Sequence, residues 1–157
     1  MTILRLTVLF LVTCVTAWAS RQDLVYRLPT DNTTLFTTGG DDYFMYVDRT
    51  FEGETSKPWQ GGTYGMVRNP FRPSPGAPVL FSRLHEGIDV KPLYRNAAGE
   101  PLDDVRPIAP GVVVHASKKP GLSNYGRYVV VAHRVPEGTI YSLYAHLASV
   151  ECDAGQR

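Results

Sequence analysis

Arg127-Tyr128-Val129-Val130-Val131-Ala132-His133 sets three consecutive valines between turn residues. β-Branched side chains pack well on a pleated surface, and the run is too short for a helix, so it reads as a strand. Pro136-Glu137-Gly138 follows, and residues 139–146 alternate well enough for a second strand. A tight turn between two such runs predicts an antiparallel hairpin. Upstream, Gly111-Val112-Val113-Val114-His115-Ala116 predicts another strand and residues 79–82 a shorter one. Gly61-Gly62, Asn69-Pro70 and the prolines between Pro73 and Pro78 punctuate the rest. No segment has a long helical period and no internal repeat occurs. The expected class is all-β, built from antiparallel strands.

Composition agrees with one ordinary globular domain. The chain has 157 residues, 43% of them apolar and 20% charged. Fourteen Gly, twelve Pro and nine Tyr suit turns and strands rather than a helical bundle. The net charge of +1 argues against a strongly basic nucleic-acid binder. Two cysteines are too few for a disulfide scaffold or a four-Cys zinc site. Neither a Gly-x-Ser-x-Gly elbow nor a phosphate-binding Gly-x-x-x-x-Gly-Lys loop is present.

Residues 1–19 read as a signal peptide. Arg5 is its basic start, residues 6–15 its apolar centre, and Ala17-Trp18-Ala19 its small-x-small cleavage pattern. The apolar run falls short of the about 20 residues of a membrane span, so no stable span is expected after cleavage. The alternatives are an N-terminal anchor helix and lipid attachment at Cys14, which Thr13 fits poorly. The expected location is secreted, periplasmic or cell-envelope. Cys152 then stands alone in an oxidising compartment, with a partner expected beyond Arg157. Residues 20–62 form an acidic, irregular leader, read as a packing extension rather than a ligand-binding segment. Residues 43–47 are a candidate strand within it. Asn32-Thr33-Thr34 fits a glycosylation acceptor in a eukaryotic secretory host. Residues 63–157 form the main domain.

The chemistry rests on four histidines. His85-Glu86-Gly87-Ile88-Asp89 sets a carboxylate four residues after an imidazole, and both are ordinary zinc ligands. Chance alone supplies roughly 0.2 such pairs in a chain of this composition, so spacing proves little. Four residues of straight strand span roughly 13 Å, so the chain must bend if both are to hold one ion. Gly87 is where a bend is expected to cost least, having no Cβ. His146, in Tyr144-Ala145-His146-Leu147, ends a predicted strand and shares a face with Tyr144 by alternation. There it is placed to orient a water, take its proton or stabilise an oxyanion; the alternative is a half-buried surface histidine. His133 and His115 are assigned to structure, with His115 on the face opposite Val112 and Val114.

From His85 onward the chain resembles the lysostaphin-type, or LytM-type, zinc metallopeptidases of peptidoglycan. His85-Glu86-Gly87-Ile88-Asp89-Val90 looks like the first metal motif, and Val105-Arg106-Pro107-Ile108-Ala109-Pro110-Gly111-Val112-Val113 like the strand that follows. Tyr125-Gly126-Arg127-Tyr128-Val129-Val130-Val131-Ala132-His133 resembles the next strand. Tyr144-Ala145-His146-Leu147 resembles the tyrosine-x-histidine-leucine element, and Ala154-Gly155-Gln156 the glycine-glutamine turn. The order and spacing of these pieces, over residues 85–157, make the match specific.

The resemblance implies the groove-bearing antiparallel sheet core of that family, incomplete at the C-terminus. It implies His85 and Asp89 as zinc ligands and His146 as a catalytic histidine beside the attacking water. The family's third ligand and second catalytic histidine lie in a later His-x-His motif, and this sequence has none and no histidine after His146. Either the chain is a truncated piece or the domain has lost activity; truncation is the expectation, with the 157 residues alone inactive. The function implied is an exported zinc metalloendopeptidase acting on peptidoglycan peptide cross-links. The rivals are a non-catalytic wall-binding or amidase-activating module of the same fold, and an exported β-sandwich without zinc.

Overall fold

The computed structural model describes residues 24–56 and 61–157. Residues 1–19, expected to be a signal peptide, and Cys14 with them, lie outside the described residues. Among those described, the chain is mostly strands in antiparallel sheets with almost no helix, an all-β protein. Its strands are β1 (Arg49–Phe51), β2 (Glu54–Ser56), β3 (Val67–Phe71), β4 (Leu80–Leu84), β5 (Val112–Ser117), β6 (Tyr128–Val135) and β7 (Gly138–Tyr144). They pair as β1-β2, β3-β4 and β5-β6-β7.

The three-stranded sheet is the part that hydrophobic patterning dictates. β6 is its centre, and its burial alternates so that Val129, Val131 and His133 point inward. Val135 pairs with Gly138, so Pro136-Glu137 is a two-residue hairpin turn as expected. Gly111 passes so close to β6 that a Cβ there would lie 2.5 Å from the Ala132 carbonyl and 2.7 Å from His133 Nδ1. His133 is fully buried, and its ring bridges Pro110 O (2.9 Å) and Ser142 Oγ (2.7 Å). A carbonyl only accepts, so Nδ1 carries the hydrogen and Nε2 accepts from the serine hydroxyl. The histidine clamps β7 and the start of β5 onto β6, which is the structural part assigned to it.

One expected facing is reversed. Between Val113 and His115 the β5 register slips by one residue, a bulge at Val114. Val112 pairs with Ala132 and His115 with Val130, so both lie on one face of the sheet rather than on opposite faces. The His115 ring stacks on Tyr128 at 5.0 Å as a result.

Residues 24–56 carry short regular pieces and bond to the rest of the chain. Asn32 Oδ1 accepts from the Thr34 amide at 3.0 Å and starts a 3-10 turn over Thr34–Phe36. Its Nδ2 donates to Lys91 O at 2.8 Å, and the residue is 1% exposed. The amide nitrogen that a glycan would need is therefore closed off in the folded chain. A four-residue helix, α1 (Gly40–Tyr43), follows and buries Tyr43. The strand expected over residues 43–47 reduces to one antiparallel bridge, Phe44 with Val90, flanked by Lys91 N→Tyr43 O and Met45 N→Asp89 O, both 2.8 Å. At its other end the leader bonds through Arg27 N→Ile108 O and Arg106 N→Pro29 O, again 2.8 Å each. Leader and main domain thus share one hydrogen-bonded framework. Two hairpins escaped sequence reading. β1-β2 turns at Glu52-Gly53, both with positive φ (52° and 84°), the arrangement a two-residue hairpin favours. β3-β4 pairs through the supposed Asn69-Pro70 break, Asn69 taking a φ of 53° that its short side chain tolerates.

Candidate metal centre

Residues 85–89 leave β4 and bend at Gly87, which brings the His85 and Asp89 side chains together. His85 N donates to Met66 O and its carbonyl accepts from Gly65 N, so the backbone at position 85 continues the β3-β4 pairing. Asp89 N donates to Gly62 O and its carbonyl accepts from Met45 N. The leader and the glycine pair therefore hold the far end of the motif. The bend falls at Gly87, as expected. Its φ is not left-handed and a Cβ there would meet nothing within 4 Å, so a small side chain would fit here too, with both ends of the turn anchored.

His85 is 7% exposed, and its Nδ1 lies 3.0 Å from Thr63 O. The carbonyl fixes the hydrogen on Nδ1, leaving Nε2 directed at Asp89 Oδ1, 3.4 Å away. A metal-ligating histidine characteristically donates its other ring N–H to a carbonyl in this way. Two lone-pair donors facing each other at that distance repel unless a proton or a metal cation lies between them. With bonds of about 2.0–2.1 Å to nitrogen and oxygen, adjacent ligands of a tetrahedral zinc lie about 3.4 Å apart. The pair fits zinc by donor type and by separation.

The other carboxylate oxygen is occupied differently. Asp89 Oδ2 accepts from Gly62 N at 3.1 Å and lies 3.9 Å from Arg68 Nη2. A Cβ on Gly61 would stand 2.8 Å from Oδ2, and one on Gly62 2.3 Å from the Tyr46 ring, at a φ of 86°. Glycine at 61 lets the backbone come this close to the carboxylate, and glycine at 62 lets it pass the Tyr46 ring. Sequence reading took Gly61-Gly62 as punctuation; the doublet was the available signal for a cradle. Thr63 and Arg68 had no comparable signal.

His146 lies past the end of β7, exposed, with a left-handed φ of 58°. Alternation therefore does not carry past Tyr144, and the shared face expected for residues 144 and 146 gives way to a re-aimed backbone. Its N–H donates to Tyr125 O (2.9 Å), and Leu147 N to Arg127 O (3.0 Å). Tyr144, by contrast, stays with the sheet and accepts from Ile108 N through its hydroxyl at 2.8 Å. Among the described residues no three His, Cys, Asp or Glu side chains group around one point. His85 and Asp89 meet, and His146 is not a third donor to them. Cys152 is a free, half-buried thiol. No described helix is long and apolar enough to cross a membrane. No family profile, curated protein or solved structure matches the chain.

Proposed function

We propose that the chain carries the metal-binding part of an exported zinc metalloendopeptidase of the lysostaphin type, acting on peptidoglycan peptide cross-links. The single observation that supports this is the His85 Nε2–Asp89 Oδ1 approach of 3.4 Å, with the imidazole hydrogen held on Nδ1 by Thr63. In this reading His85 and Asp89 hold the ion, and a completing donor comes from outside these residues. Bound zinc would polarise the scissile carbonyl and lower the pKa of a water towards neutrality. The Thr63 carbonyl keeps the His85 lone pair on Nε2, and the Gly62 amide keeps Asp89 turned toward it. In this reading His146, an exposed imidazole past the end of β7, would move a proton at the attacking water or the leaving amine. Losing such a group typically lowers the rate about 10²–10⁴-fold.

Zinc titrated into the full chain, followed by imidazole ¹⁵N resonances, tests the ligand assignment. Zinc is expected to move His85 Nε2 and leave His133 untouched. His85→Ala and Asp89→Ala are expected to abolish binding, and His146→Ala to keep it. Zinc bound equally well by Asp89→Ala refutes the site. Unchanged His85 resonances at millimolar zinc favour the non-catalytic wall-binding module, in which the pair is a proton-bridged structural contact.

A further inference from the structure

We propose that Arg68 is a positioning residue that makes Asp89 a one-oxygen ligand and so selects small, four-coordinate cations. This rests on the reading of His85 and Asp89 as metal ligands. Arg68 lies on β3, paired with Arg83 of β4, the strand that leads into His85. Its Nη2 stands 3.9 Å from Asp89 Oδ2, the same oxygen that accepts the Gly62 amide. Its Nε–H is shut off from solvent and finds no acceptor. With 35% of its side chain exposed, Arg68 is held beside Asp89 by charge and not by a hydrogen bond of its Nε.

The consequence is a division of labour between the two carboxylate oxygens. Oδ2 faces two N–H-bearing groups, one of them cationic, and a cation placed there would meet the guanidinium charge. Oδ1 faces His85 Nε2 at 3.4 Å. A carboxylate free to use both oxygens suits larger cations with six or more oxygen ligands, whereas one oxygen beside one imidazole suits zinc or cobalt. Arg68 blocks the first mode through charge and position, and the Gly61-Gly62 backbone leaves room for nothing bulkier on that side.

Cobalt(II) titrated into the full chain reads both affinity and coordination, because its visible bands are intense when four-coordinate and weak at higher coordination. The parent chain is expected to give intense bands. Arg68→Gln is expected to bind cobalt about 10–100-fold more weakly, the usual scale for outer-shell partners, with weakened bands. Its preference for cobalt over manganese is expected to narrow. Arg68→Lys keeps the charge and is expected to recover most of the band intensity. Circular dichroism checks each fold. If Arg68→Gln does not fold, Arg68→Lys decides: parent-like bands support the role, and lost bands in a folded Lys variant overturn it. Parent-like affinity and bands in folded Arg68→Gln overturn the proposal and leave the metal site standing. Absence of cobalt uptake by the parent chain overturns both.

Discussion

The three-stranded sheet and the His85–Asp89 segment are held by opposite means. β6 carries its own inward-pointing residues, and its partners are its neighbours in sequence, joined to β7 by a two-residue turn. The 85–89 segment belongs to no strand of its own. It is suspended from Met45, Gly62, Thr63 and Met66, residues 19 to 44 positions away from those they bond. Local pattern builds the first region. The second exists only after distant backbone has arrived, so single changes there should damage the site more than the fold.

The largest expected effect is on the sheet side. His133→Ala leaves the Ser142 hydroxyl and the Pro110 carbonyl unpaired beside a void, and is expected to cost about 3–5 kcal/mol in denaturant unfolding. A variant as stable as the parent would break the comparison. Gly62→Ala meets the Tyr46 ring at a left-handed φ, and about 1–3 kcal/mol of strain is expected. Amide exchange is expected to rise at residues 85–91 and stay slow in β6; uniform acceleration would erase the distinction.

Smaller effects follow from titration. Burial pushes the Tyr43 phenol above its usual 10.0. A folded value above the unfolded one means that its stabilisation is complete below pH 10.0 and is lost as pH climbs through the raised value. Tyr43→Phe is expected to flatten the alkaline limb of the melting curve; an unchanged limb places its origin elsewhere. Glu52 is the mirror case on an exposed turn. The hydrogen bonds from Arg72, reaching across from the end of β3, hold its carboxyl below 4.5. That contribution is present above pH 4.5 and fades as pH falls through the lowered value, and Glu52→Gln is expected to remove only this slight acid dependence. Gly87→Ala should change least, within about 0.5 kcal/mol and with the zinc titration of the parent chain reproduced. A large loss would show that the bend depends on glycine after all.

Strand positions β4 to β7 were legible because apolar alternation and turn residues are local signals. β1-β2 and β3-β4 were not fully so: Glu52-Gly53 is a weak hairpin signature, and Asn69-Pro70 looks like a stop until Asn69 takes a left-handed φ within the pair. The bulge at Val114 was invisible in three identical valines, and it moved His115 to the other face. In the site, the spacing of His85 and Asp89 named the pair, while the residues around it carried no pattern.

By itself the sequence determined the strand-rich class, the hairpin of β6 and β7, and two donor types four positions apart, because these depend on residue order over a few positions. Tertiary structure decided that Nε2 and Oδ1 face each other, that Thr63 fixes the tautomer, and that Gly62 and Arg68 take the second carboxylate oxygen. Those contacts join segments whose meeting depends on the packing of the whole chain, which no local periodicity encodes.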